Sequence, residues 1–124
     1  MIPLWIIAIG GALGAVARYI TVMGVDAWMG RDFPYATLSV NVLGSFLAGF
    51  CLMILDHRWS VGPEIRGFIM IGFLGGFTTF SAFSLDNLNL LLDGQMTKAL
   101  INALVSVSVC LLAAWLGVVA ARAF

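Results

Sequence analysis

The charged side chains of this chain occur in short clusters, and the sequence between the clusters is almost continuously apolar. Lys, Arg, Asp and Glu make up 10% of the 124 residues, and 62% are hydrophobic. About a quarter of the residues of a soluble domain are charged. Because roughly 20 apolar residues are enough for a helix to cross a bilayer, the pattern predicts an all-α integral membrane protein with four spans and no soluble domain.

The predicted spans form one domain, residues 1–124. They cover about residues 2–23, 35–55, 64–92 and 97–121. Thr97 is expected to cap the N-terminus of the last span. Both cysteines, Cys51 and Cys110, lie within apolar spans, where a thiol behaves as a small hydrophobe.

The third span contains an unusual segment, Gly72 to Ser84, that reads GFLGGFTTFSAFS. Irregular backbone at membrane depth is tolerated only where protein or a cavity satisfies its polar groups. Interrupted helices of this kind often carry ion sites. The segment therefore predicts a helix broken near Gly75-Gly76, with a site for a small ion at the break.

The distribution of basic residues gives no preferred orientation in the membrane. Three would lie on the side of the N-terminus and three on the other: Arg58, Arg66 and Arg122 against Arg18, Arg31 and Lys98. Because excess Lys and Arg mark the cytoplasmic side, an equal count indicates insertion both ways, as in an antiparallel, dual-topology homodimer. The alternative is that Arg18 lies too deep to count.

Several polar residues within the spans have two interpretations each. Asn41, one turn after Thr37, is equally consistent with an interhelical hydrogen bond and with a donor in a pore. Arg18 is equally suited to attracting anions and to bracing loops. Asn102 and Ser106, one turn apart in the fourth span, are not assigned.

The aromatic and hydroxyl residues of the third span favour an anion. Phe80 and Phe83 are one turn apart, and an aromatic ring has a positive edge. Hydroxyl groups can donate further hydrogen bonds, and the segment supplies them at Thr79, Ser81 and Ser84. The alternative is that the two phenylalanines are core residues.

Three segments together resemble the Fluc/CrcB family of fluoride channels. They are GGALGAVARY (residues 10–19), NVLGSFLAG (41–49) and GFLGGFTTFSAFS (72–84). The resemblance covers three of the four spans in order. It implies a dual-topology homodimer that carries fluoride passively out of the cytoplasm and holds a structural sodium ion at its centre.

The resemblance also implies roles for individual residues. Phe80, Phe83 and Asn41 match pore residues, and Thr37, Ser81 and Ser84 are included with them as candidate fluoride contacts. Gly75 and Thr78 match the residues whose carbonyls hold sodium, and Arg18 matches a vestibule arginine. The chain departs from the family pattern at Ala82, where a threonine is usual, and at Asp86, where a glutamate is common.

Two other classes of protein compete with this interpretation. A proton-coupled exporter of the small multidrug type needs a carboxylate near the middle of a span, and Asp86 is the only candidate. An assembly subunit without transport activity would explain the small residues but not the segment around Phe80. We expect no enzymatic activity and no nucleic-acid partner; the expected setting is the lipid bilayer of the cell inner membrane, crossed several times.

Overall fold

The computed structural model describes all residues from Met1 to Phe124, and its regular secondary structure is all helical. The α-helices are α1 (Leu4–Met29), α2 (Tyr35–Cys51), α3 (Pro63–Arg66), α4 (Leu74–Phe77), α5 (Phe80–Leu92) and α6 (Met96–Arg122). Two further stretches, Leu52–Arg58 and Gly67–Phe73, are wound as π-helices. The chain thus forms four apolar helical segments long enough to cross a membrane: Leu4–Met29, Tyr35–Arg58, Pro63–Leu92 and Met96–Arg122.

The third segment breaks at Thr78-Thr79. The break was predicted near Gly75-Gly76, so it lies slightly closer to the C-terminus than expected. Thr78 (φ −86°, ψ 154°) and Thr79 (φ −154°, ψ 121°) are both extended. The two glycines remain in the last turn of α4. Gly76 serves close packing instead, because a methyl group placed there would lie 2.6 Å from the carbonyl oxygen of Gly11.

Two helix ends also differ from the sequence-based expectation. The first helix continues past residue 23 to Met29, since Asp26 does not end it but reaches forward to pair with Arg31 at 3.2 Å. The prediction that Thr97 is an N-cap was wrong: Gln95 occupies that position, and its side chain forms no capping hydrogen bond.

Small residues allow the helices to approach closely. A methyl group at Gly14 would overlap the backbone carbonyl of Phe73 in the third segment, and one at Gly49 would overlap that of Ala114 in α6. Such contacts drive association in lipid, where helices gain little from hydrophobic burial. They pack α1 against the third segment and α2 against α6.

Polar contacts identify the two ends of the bundle. At the first-loop end (residues 30–34 and 93–95), Lys98 donates to the Asp32 carbonyl at 3.2 Å. At the opposite end, Arg66 pairs with Asp56 at 2.8 Å across the turn between the second and third segments. The broken part of the third segment lies between these ends.

Candidate functional site

Asn41 in α2 holds the break open. Its side-chain oxygen accepts a hydrogen bond from the Thr79 backbone N–H at 2.8 Å, and its Nδ2 donates to the Thr79 carbonyl at 2.9 Å. The amide therefore pairs with Thr79 much as a neighbouring strand would. This geometry forms the interhelical bond considered from the sequence, and it leaves the second hydrogen of Nδ2 for another acceptor.

The same arrangement removes the helical partners of two backbone carbonyls. In a continuous helix the Gly75 carbonyl would accept from the N–H of Thr79, but that N–H donates to Asn41. The Thr78 carbonyl would accept from the N–H of Ala82, which instead donates to the Thr79 hydroxyl at 3.1 Å. The carbonyls lacking these partners belong to Gly75 and Thr78, the two residues assigned to sodium by resemblance.

Arg18 satisfies a third carbonyl at the break. Its Nε donates to the Gly76 oxygen at 3.0 Å, and the side chain is half-buried. Arg18 therefore braces the end of α4, rather than a loop. It also lies well inside α1, so without it the basic residues number three at one end and two at the other.

A groove of about 550 Å³ between α2, the broken segment and α6 brings together five of the predicted site residues. They are Asn41, Gly75, Thr78, Phe80 and Phe83. The centroids of the two phenylalanine rings are 5.3 Å apart and their planes are inclined by 39°. Phe80 is 76% exposed and Phe83 is only half-buried. Neither ring is therefore part of the core of the single chain.

The other predicted site residues lie outside this groove. Arg18 and Thr37 line a smaller cavity of about 290 Å³, which, like the groove, is bordered by Thr79. Ser81 and Ser84 are exposed on α5. The Ser81 hydroxyl forms a hydrogen bond with the Thr79 hydroxyl at 3.2 Å, and Ser84 donates to the Phe80 carbonyl at 3.1 Å. The Ser84 hydrogen is thus already in use within the helix.

Asp86 lies near the first-loop end of the bundle. It lines a polar cavity of about 660 Å³ together with residues of the first loop and Lys98. No group of three or more His, Cys, Asp or Glu side chains is placed to hold a metal.

A polar chain that the sequence analysis did not identify connects α5 with α6. Asn87 donates to the Ala99 carbonyl at 3.1 Å and accepts from Asn102 at 2.6 Å. Ser106 in turn donates to Asn102 at 3.3 Å and also lines the groove. One signal could have revealed Asn87: it lies seven residues after Phe80, on the same helix face.

Four apolar helical segments long enough to cross a membrane, one of them broken within the bundle, define a multi-pass membrane protein. The chain matches the family model described as CrcB-like protein, Camphor Resistance (CrcB), over residues 5–118. It belongs to the CrcB family.

Curated relatives extend over nearly the whole chain. A protein of Magnetococcus marinus is 50% identical over 116 residues, which is 94% of each chain. One of Geobacter sulfurreducens is 48% identical over the same length and share. A third, from Methylococcus capsulatus, is 48% identical over 98% of this chain, which spans only 53% of that relative. All three are named fluoride-specific ion channel FluC.

Proposed function

We propose that this chain forms a passive, fluoride-selective channel that exports fluoride from the cytoplasm across the cell inner membrane. The names of its relatives support the choice of ion. The observation that carries the proposal is the groove in which Asn41, Phe80 and Phe83 meet at the break. Its lining contains amide and hydroxyl donors and aromatic rings but no lysine, histidine or carboxylate.

The chemistry of this lining suits a small anion. Ring edges carry partial positive charge, and the free hydrogen on the Asn41 amide can point toward an ion. Several weak contacts of this kind can replace a hydration shell yet release the ion quickly, as conduction requires. Fluoride is the smallest halide and the strongest hydrogen-bond acceptor, so fixed donors favour it over the larger chloride.

A second copy of the chain would complete the pathway. The groove is open on one side, and Ser81 is exposed on α5 although polar groups in a span avoid lipid. A methyl group at Gly75 would meet nothing within 4 Å, so this glycine leaves room for a neighbour. The nearly balanced basic residues support an antiparallel, dual-topology homodimer.

The proposed homodimer would also hold a structural sodium ion at its centre, coordinated by backbone carbonyls at the break. Those of Gly75 and Thr78 have lost their helical N–H partners to Asn41 and Thr79. Unwound carbonyls and half-helix C-terminal ends coordinate sodium in membrane proteins. Two copies related by a two-fold axis would provide two such pairs, and a bound ion would hold both breaks in place.

The alternative, proton-coupled export of a cation, has weaker support. It requires a carboxylate near the middle of a span, whereas Asp86 borders a polar cavity with the first loop. The groove itself is lined by no carboxylate, histidine or lysine.

Purified protein reconstituted in liposomes tests the proposal with ion-selective electrodes. We expect rapid fluoride efflux and almost no chloride efflux when the pH is equal on both sides. Protein-free liposomes provide the control for passive leakage. Efflux coupled to proton movement in a fixed ratio would contradict a passive channel and favour the exporter.

A further inference from the structure

The helix that carries Phe80 and Phe83 buries few apolar side chains within the single chain. Of the 13 residues of α5, only Leu90 is buried. Leu85 and Leu92 are 60% and 74% exposed. Buried apolar contacts are thus a small part of what orients α5 within the single chain, and the rotation of α5 about its own axis decides where the two rings point.

The Asn87–Asn102 hydrogen bond ties α5 to α6 beyond its first turn and opposes this rotation. At 2.6 Å it is short, and Asn102 is 2% exposed. Asn87 is tied a second time, to the Ala99 carbonyl. A buried amide that loses its partner costs free energy, so rotation of α5 away from α6 is opposed at this point.

The position of Asn87 relates this bond directly to the rings. Asn87 follows Phe80 by seven residues and Phe83 by four, so all three lie on one face of α5. A rotation of about 30° would move a ring centred roughly 6 Å from the helix axis by about 3 Å. Binding groups must be held to within about 0.5 Å to remain effective.

We propose that Asn87 and Asn102 are positioning residues for ion permeation, which set the orientation of the phenylalanine pair through the rotation of α5. This inference rests on the proposed fluoride channel. Neither asparagine lines the groove, so both act through the helix that they anchor.

Leucine substitutions separate positioning from stability. Asn87→Leu and Asn102→Leu each leave a polar partner unpaired, so both variants should lose thermal stability and release fluoride about tenfold more slowly. In the double variant both amides are replaced, and stability should largely recover. Fluoride efflux should remain low, because the polar anchor of α5 is still missing. Asn89→Leu, an exposed asparagine on the same helix, is the matched control and should conduct normally.

A charge variant gives a second measurement that does not depend on the double variant folding. In Asn102→Asp a protonated carboxyl can still donate to Asn87, but an ionised one cannot. Efflux, corrected for leakage from protein-free liposomes, should be faster at about pH 6 than at about pH 9, because ionisation of the carboxyl increases with pH. Adding Asn87→Leu removes the acceptor and should abolish this pH dependence.

The outcomes are distinct. Low efflux from a stable double variant, or pH dependence that requires Asn87, supports positioning. Recovery of both stability and efflux in the double variant overturns it, as does pH dependence that persists without Asn87, which would indicate direct repulsion of the anion. If the unmodified protein releases no fluoride in the same assay, the proposed function fails instead.

Discussion

Asn41 offers the sharpest test of how the broken helix works, because its side chain can act in two ways. It pairs with both backbone groups of Thr79, and it lines the groove with a spare amide hydrogen. Asn41→Leu removes both hydrogen bonds without adding charge. Asn41→Asp retains an acceptor for the Thr79 N–H but removes the donor to the carbonyl and adds a negative charge.

The two roles predict opposite orders of damage. If Asn41 is only a structural link, leucine is worse, since it leaves two Thr79 groups unpaired at about 1–3 kcal/mol each, whereas aspartate leaves one. If Asn41 faces the ion, a carboxylate roughly 6 Å from fluoride at an effective dielectric constant of about 20 adds about 3 kcal/mol of repulsion. That energy corresponds to roughly a hundredfold in rate.

We expect the aspartate variant to be the slower of the two. Fluoride efflux from liposomes at about pH 8, where the carboxylate is ionised, should fall further in Asn41→Asp than in Asn41→Leu. Size-exclusion chromatography of the same samples checks that both variants remain assembled. Slower efflux from a well-assembled leucine variant would refute the argument that Asn41 contacts the permeating ion.

Three further predictions concern the rings, the glycines and the orientation. Phe80→Met and Phe83→Ile should each cut fluoride efflux strongly while assembly is retained, because apolar bulk remains but the ring quadrupole is lost; normal efflux through the well-folded double variant would remove both rings from the mechanism. Gly76→Ala should destabilise the chain by about 1–3 kcal/mol in thermal unfolding, since the added methyl meets backbone 2.6 Å away. Gly75→Ala should spare the single chain, where the methyl meets nothing, and weaken sodium-dependent stabilisation of the assembly; equal effects of the two alanines would contradict this. A reporter fused after Phe124 should be found on both sides of the membrane, and two lysines added to one loop should restrict it to one side; a native chain found on a single side would end the dual-topology proposal.

Two features of the fold could be predicted from the sequence because they depend on local composition. The number of spans follows from the length of the apolar stretches, since any segment that long must satisfy its backbone internally in lipid. The presence of a break follows from Gly75-Gly76 and the adjacent hydroxyl residues. Asn41, Phe80 and Phe83 could also be predicted as candidate site residues, because each is polar or aromatic at helical spacing within a span.

The position of the break and the partners at the site depended on the tertiary structure. Gly75 and Gly76 remain helical, and the chain opens at Thr79 because an amide from α2 is there to pair with its backbone. Arg18 was expected to meet anions or loops, but the Gly76 carbonyl lies within its reach. Asn87 and Asn102 are 15 residues apart in sequence and meet only after α5 and α6 pack. By itself the sequence determined that this chain crosses a membrane and interrupts one helix; only the packing decided which donor meets which carbonyl, because a hydrogen bond between helices requires both to be in place.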